Sequence, residues 1–260
     1  MGEPTFIETS GGAFSSSYTL GAVIGRGGFA KVHLANDHSQ SGEFVAVKVQ
    51  EYLDVSSRYS TMALDQISIA RIQSEHRTWK KVSDHPHVVT LLGAYVEEGR
   101  CMFVTELLPL SLFDAMISEP LLDEHTLSVY LHDMLAALKH VHLQGIALCD
   151  VKPENFLCDQ NHTVKLCDFG LARDITTSSE LSMPQCGTTM FMSPEMVNGH
   201  IVTEKVDIWA IGVTAYSWFF GELPYNPGDY TPFDMEDGIR EASPTFAVSC
   251  GLQSRCAISE

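Results

Sequence analysis

The chain has 260 residues, 45% hydrophobic and 19% charged, with a formal net charge of −17. Such a length and composition belong to a folded chain of one large domain or two smaller units, and exclude an intrinsically disordered one. The acidic balance argues against nucleic acid or an anionic membrane as the main partner. It fits attraction of basic peptides, and equally well the surface of any soluble acidic protein.

Residues 1–17 are rich in Gly and Ser with little periodicity, and are expected to form a flexible N-terminal arm. Phe6 stands where a myristoylation signal needs Ser or Thr. From Tyr18 to Val49 the sequence alternates and turns, which predicts three antiparallel strands. Gly25, Gly27 and Gly28 fall in the first turn, where backbone N–H groups can approach phosphates without a Cβ in the way. The third glycine of a GxGxxG pattern is replaced by Ala30. The next residues, Lys31 to Ala35, read as a strand and not as the helix of a dinucleotide fold. Val45-Ala46-Val47-Lys48 places a lysine on a buried strand, twenty-one residues after Gly27. Such a lysine needs a carboxylate to hold it. The helical stretch Thr61 to Val82 offers Glu75, with Glu51 and Asp65 as alternatives, and Glu51 to Ser60 reads as a small insertion.

Val88 to Ala94 and Cys101 to Leu107 predict two more strands, after which the period becomes helical. Asp123 is the expected N-cap of a helix whose core face carries Leu127, Leu131, Leu135, Leu138 and Val141. The stretch Ala147 to Gly170 concentrates the chemistry. Asp150, Lys152 and Asn155 lie within six residues, and Asp168 comes after an apolar strand-like run, Thr163 to Cys167. Two carboxylates, an ammonium and an amide suit a Mg-nucleotide and a hydroxyl acceptor. Asp168 to Glu195 is polar, rich in Ser and Thr, and ends in Ser-Pro-Glu. Thr203 is the expected cap of a strongly apolar helix holding Asp207, Trp209 and Gly212, and that carboxylate must find donors. This run, Val206 to Phe220, is the longest apolar one and is too short and interrupted to span a bilayer. Seven scattered cysteines without a CxxC pair, and no secretory signal pattern, point to free thiols in the cytoplasm or nucleus.

DxKxxN at 150–155 and then Asp168-Phe169-Gly170, with the glycine turn and the Val-Ala-Val-Lys strand, resembles the eukaryotic protein kinases of Ser/Thr type. The likeness runs from about Tyr18 to about Pro224, loosely of the calcium/calmodulin-dependent and calcium-dependent group. It implies an α+β, bilobal fold: a small antiparallel β-sheet N-lobe with one regulatory helix (18–105), a hinge (106–109) and a mainly helical C-lobe (110–260). It further implies a Mg-ATP-dependent transfer of phosphoryl groups to Ser/Thr hydroxyls of protein or peptide substrates, basic ones included. Asp150 would accept the hydroxyl proton and Lys152 would neutralise the transferring group. Asn155 and Asp168 would hold Mg²⁺. Ile24, Gly25, Gly27, Gly28, Val32, Ala46, Lys48, Glu75, Thr105, Glu106, Leu108 and Leu157 would serve ATP, with Lys48 on its phosphates and Glu75 on Lys48. Trp79, Leu91, Leu148 and Phe169 would form an apolar column.

The departures are specific. Leu148-Cys149 replaces the family's His-Arg before Asp150, and Pro184 occupies the usual site of the activating phosphothreonine. A phosphothreonine and its arginine receptor are thus expected to play no part there, with Ser178, Ser179 and Ser182 as other acceptors. The late C-lobe helices are expected to be missing or altered, since Ser243 to Glu260 shows no long helical period, although Met235 to Ala242 can start a helix. Such a loss would expose the helix around Trp209 to Phe220. Arg240 and Arg255 are the only arginines after Glu195, and neither sits where the family's partner of that glutamate belongs. An alternative therefore stands beside the active kinase: a weak or inactive kinase-like module that binds nucleotide and partners.

Overall fold

Alternation of apolar and polar residues produces the first sheet. In the computed structural model the described residues are 6–39, 42–54, 63–118, 123–176, 187–225 and 231–241. They belong to two compact units that divide between Leu108 and Pro109. The first unit starts with a helical turn α1 (Phe14–Ser17), then β1 (Tyr18–Arg26), β2 (Lys31–Asp37), β3 (Phe44–Glu51) and the two-residue strands β4 (Leu53–Asp54) and β5 (Ala63–Leu64). Helix α2 (Gln66–Val82), β6 (Leu91–Glu97) and β7 (Arg100–Thr105) complete it. Five strands form one antiparallel sheet in the order β1-β2-β3-β7-β6. Val45, Val47, Val49, Met102 and Val104 supply its core, with Phe14, Ala35 and Tyr95.

Three expectations for this unit are corrected. Residues 6–17 do not trail as a loose arm: Ile7 and Phe14 are buried, and the Phe14 ring packs on Tyr18 and Tyr95. Two apolar anchors outweigh the Gly/Ser composition around them. The strand expected from Val88 begins instead at Leu91. Val88 and Val89 are buried in the connection, and a short apolar run cannot by periodicity alone be told from a strand. Helix α2 starts at Gln66, later than Thr61, because Asp65 caps it by accepting from the Ile67 N–H.

The second unit holds β8 (Leu110–Ser111), α3 (Leu112–Ser118), α4 (Glu124–Leu143), β9 (Ile146–Ala147), β10 (Phe156–Cys158), β11 (Val164–Leu166) and β12 (Arg173–Asp174). Then come α5 (Pro194–Val197), α6 (Lys205–Phe220) and α7 (Pro232–Arg240), with single 3₁₀ turns at Pro153–Asn155 and Thr189–Phe191. Asp123 caps α4, its carboxylate accepting from the Thr126 N–H, which also holds that carboxyl below its usual range.

The buried face of α4 is Leu127, Tyr130, Met134, Ala137, Leu138 and Val141; Leu135 is 43% exposed and Leu131 only half-buried. A strict step of four residues drifts by about 40° each time on a helix of 3.6 residues per turn, which carries Leu135 off the face. The exposure expected of α6 is largely absent. Val206 and Val213 pack with Tyr225, Met235 and Ile239, and Trp209 leans on the same cluster; on this helix Ile208, 48% exposed, is the large apolar side chain that stands out. Gly221, at φ 73°, ends α6 in the left-handed region and donates its N–H to Ser217 O. Among the described residues no helix is long and apolar enough to cross a membrane.

Leu138 sits at the centre of the α4 face with no exposure. Leu138→Ala should destabilise the chain by about 3 kcal/mol, within the range for cavities in cores. Urea denaturation monitored by tryptophan fluorescence measures it, and an unchanged midpoint would contradict the packing described.

Candidate functional site

Two groups of polar side chains stand out, one in each unit. In the first unit, strand pairing sets Lys48 on β3 opposite Val32 on β2 and Phe103 on β7. Lys48 Nζ lies 2.5 Å from Glu75 Oε1, on α2. The second carboxylate oxygen accepts from Gln50 Nε2 at 2.8 Å. Glu75 is buried to 1% exposure, so both oxygens are engaged where water is absent. Glu75 is therefore the partner of Lys48. Of the alternatives, Asp65 is taken up as the α2 cap, and Glu51 lies at the far end of β3 opposite Arg100. Gln50 is a member that sequence reasoning missed. Its signal was available, since residues two apart on a strand share a face.

The turn between β1 and β2 is closed by the Gly27 N–H donating to Ala30 O at 2.9 Å. Ala30 thus takes part through its backbone, and a side chain is accommodated there. A Cβ on Gly25 would meet Val32 at 3.5 Å, whereas one on Gly28 would meet nothing within 4 Å. Ile24 is half exposed, and Phe29 at the turn tip is 65% exposed, with the Arg71 guanidinium 4.0 Å from its ring centroid. Ala46 faces Thr105 across the sheet. The Thr105 hydroxyl donates to Glu106 O at 3.1 Å. Glu106 is held by Thr90, whose N–H and hydroxyl both donate to its carboxylate, at 2.9 and 2.8 Å. Leu108 is the last residue of the unit and is half-buried. Trp79 is buried, with its indole N–H on Val89 O, while Leu91 is half-buried.

In the second unit the organising group is Asp207, in the first turn of α6 and 1% exposed. Its Oδ2 accepts from the Leu148 N–H at 2.8 Å and its Oδ1 from the Cys149 N–H at 2.9 Å. His142 Nε2 lies 2.8 Å from Oδ2. Sequence reasoning required donors for Asp207 but missed His142, which the α4 periodicity leaves as one polar residue among several. Cys149 takes φ 64°, a left-handed conformation unusual for a residue with a Cβ, and its hydrogen bond to Asp207 holds it there.

The loop so fixed presents Asp150. Its Oδ2 lies 3.0 Å from Lys152 Nζ and 3.2 Å from Asn155 Nδ2, and its Oδ1 accepts from the Thr188 N–H at 3.0 Å. Lys152 Nζ donates also to the Thr188 hydroxyl, at 2.7 Å. This approach depends on Gly187, at φ 110°, where a Cβ would meet Cys149 O at 3.1 Å and Asp150 Oδ1 at 3.2 Å. Asn155 Nδ2 donates to Asp150 O as well, at 2.8 Å. Asp168 comes directly after β11 and Cys167, and accepts the Gly170 N–H at 3.0 Å. The Cys167 N–H donates to Asn155 O at 3.0 Å, tying the β11 end to the 3₁₀ turn that carries Asn155. Leu148 and Phe169 are buried in this unit, and Leu157 on β10 is half-buried opposite Ser111 and Lys165.

Thus Asp150, Lys152, Asn155 and Thr188 form one hydrogen-bonded set, and Lys48, Glu75 and Gln50 another. A family model for the protein kinase domain matches residues 18–248. The chain belongs to the protein kinase domain family. It is 33% identical over 212 residues to a zebrafish (Danio rerio) maternal embryonic leucine zipper kinase, a match covering 80% of this chain and 30% of that protein. It is 31% identical over 217 residues to mouse (Mus musculus) ribosomal protein S6 kinase alpha-2, covering 82% and 28%. It is 32% identical over 216 residues to the serine/threonine-protein kinase ppk16 of Schizosaccharomyces pombe, covering 82% and 30%. The matches therefore span less than a third of the length of these curated relatives.

Within this kinase domain, Arg240 is engaged by Asn198, Glu236 and Asp237, not by Glu195, because α7 keeps it on its own turn. Ser178, Ser179, Ser182, Pro184, Cys186 and Arg255, residues 55–60 of the expected insertion, and the tail from 242 lie outside the described residues.

Removing the Asp207 carboxylate orphans two backbone N–H groups inside the second unit. Asp207→Ala should cost about 3 kcal/mol or more, the scale of buried donors left without acceptors. Thermal unfolding of the two proteins side by side reads this; equal midpoints would show that the loop is held by something else.

Proposed function

We propose that this kinase domain is a Mg-ATP-dependent protein serine/threonine kinase, and that the polar group of each unit serves that reaction. The observation that carries the reading is Asp150, a carboxylate held by Lys152, Asn155 and the Thr188 N–H. A substrate Ser or Thr hydroxyl would donate to it and lose its proton there as the phosphoryl group arrives. Lys152, already bridging Asp150 and the Thr188 hydroxyl, would face the charge that develops on the transferring group. Lys48 would hold the α- and β-phosphates. The buried carboxylate of Glu75, steadied by Gln50, keeps its ammonium aimed. The glycine turn, with no Cβ obstruction at Gly28, would lie over the phosphates.

Asn155 and Asp168 fit a magnesium ion in this setting. Magnesium binds through one or two protein oxygens and completes its shell with phosphate and water. Asn155 and Asp168 would supply two such oxygens, and the phosphates of the nucleotide would supply others. The Oδ1 of Asn155 is oriented by the two bonds its amide nitrogen makes to Asp150. When bound, the ion would neutralise phosphate charge. Ile24, Val32, Ala46 and Leu157 would enclose the adenine, and the backbone of Glu106 and Leu108 would meet its edge. Thr105 would limit the depth of that pocket.

Protein or peptide substrates with basic residues near the acceptor suit the net charge of −17. Cys101, Cys149, Cys158 and Cys167 carry thiols and not disulfides, which supports a reducing compartment, cytoplasm or nucleus.

Purified chain with γ-labelled ATP, Mg²⁺ and a basic Ser-containing peptide tests the reading. Asp150→Asn should lower transfer by about a hundredfold to ten-thousandfold, the range for loss of a positioned base. Asp168→Asn should lower transfer strongly and raise the Mg²⁺ concentration needed for what remains. Transfer unchanged in both variants would refute the assignment.

A further inference from the structure

Helix α2 is gripped from both sides. Its inner side gives Glu75 to Lys48. Gln73 lies about 200° away from Glu75 around the helix, on the outer side, where the Phe6–Ser10 segment runs. Gln73 Nε2 donates to Phe6 O at 2.9 Å, and two turns further along the helix Lys80 Nζ meets the Glu8 carboxylate at 2.5 Å. Ile7 is buried between these two ties. The Phe6 ring meets Tyr52 edge-on at 4.9 Å, and Tyr52 O accepts from the N–H of Asp65, the α2 cap. The segment therefore touches the body of the helix directly and its start through Tyr52.

Its other end is fastened to the sheet. Strand β6 lies at the edge of the five-stranded sheet, paired with β7. Ser10 takes the open side: its N–H donates to Ala94 O at 2.8 Å, and its hydroxyl oxygen accepts the Ala94 N–H at 3.0 Å. Both edge-facing backbone groups of Ala94 are thereby satisfied. This contact requires Gly93, where a Cβ would stand 2.9 Å from Ser10 Oγ and 3.1 Å from the Tyr95 ring. An open surface groove of about 440 Å³ is bordered by Phe6–Glu8 and by α2. The segment is held at a few points and is not locked along its length, as suits an element that docks and releases.

We propose that Phe6–Ser10 is a positioning segment for the phosphate-gripping pair, with Ile7 as its anchor. Docked, it fixes α2 against the sheet so that Glu75 meets Lys48; released, it lets the helix move and the pair part. The proposal rests on the reading of Lys48 as the phosphate ligand. It places control of this domain in its own N-terminal segment, on the side of α2 away from Glu75.

The test uses the full chain and two variants outside the nucleotide machinery, Ile7→Asp and Gly93→Val, with Ile7→Val as the conservative control. Mg-ATP affinity is measured by titration, kcat at saturating ATP, and amide hydrogen exchange over 66–82 by mass spectrometry. If the docked form falls to about a tenth of the population, the Kd for Mg-ATP rises about tenfold. Both variants should show that rise and faster exchange over α2, with kcat nearly unchanged, and Ile7→Val should behave as the unaltered chain. A synthetic peptide of residues 1–12, added to Ile7→Asp, should restore affinity. Unchanged exchange over α2 would overturn the docking, and faster exchange with unchanged affinity would overturn its role in positioning. Failure of the unaltered chain to bind Mg-ATP would instead overturn the phosphate reading of Lys48, and the proposal with it.

Discussion

A buried carboxylate must be matched by donors, and that requirement at Asp207 shapes the second unit. With 1% exposure it cannot rely on water, and its two oxygens collect two backbone N–H groups and one imidazole nitrogen. Those N–H groups belong to Leu148 and Cys149, so the helix that carries Asp207 dictates the path of the chain just before Asp150. The left-handed Cys149 is a consequence. The strain of such a conformation persists only where its surroundings over-determine it. Gly187 and Thr188 then close on the same loop from the far side. Leu148-Cys149 in place of His-Arg leaves this scaffold whole, because the anchoring bonds are made by backbone and not by either side chain.

The first unit repeats the device with a different outcome. Glu75 is equally buried, but its donors are side chains, Lys48 and Gln50. A backbone anchor fixes a loop permanently. A side-chain pair lasts only while the helix and the strand that carry it stay in place. Hence whatever holds α2 against the sheet also holds Glu75 on Lys48. The Arg71 guanidinium over Phe29 extends that dependence to the glycine turn, since Arg71 sits one turn before Glu75 on the same helix.

Much of this was legible in the sequence, for identifiable reasons. The β1–β3 meander showed because alternation is a local signal. Glu75 was found on the helix after the lysine strand, although that helix has an imperfect apolar stripe. Asp207 stood out as a charge in an apolar helix. What escaped was non-local. His142 reaches Asp207 across 65 residues, and no pattern on α4 marks it. Residues 6–17 looked like an arm because composition was averaged over them. Ile7 and Phe14 act singly, and single anchors vanish in an average. Leu135 was assigned to the core by a step of four that drifts off a real helix.

If the polar group of each unit serves Mg-ATP, Lys48 and Lys152 each meet phosphate when it is bound. An ATP carrying a reactive acyl group on its γ-phosphate transfers that acyl group to amines in contact with it. Incubated with the chain and Mg²⁺, it should acylate both Lys48 and Lys152, and excess Mg-ATP should suppress both modifications in parallel. Acylation confined to exposed lysines such as Lys80, or labelling of either site that ATP fails to compete, would contradict the account.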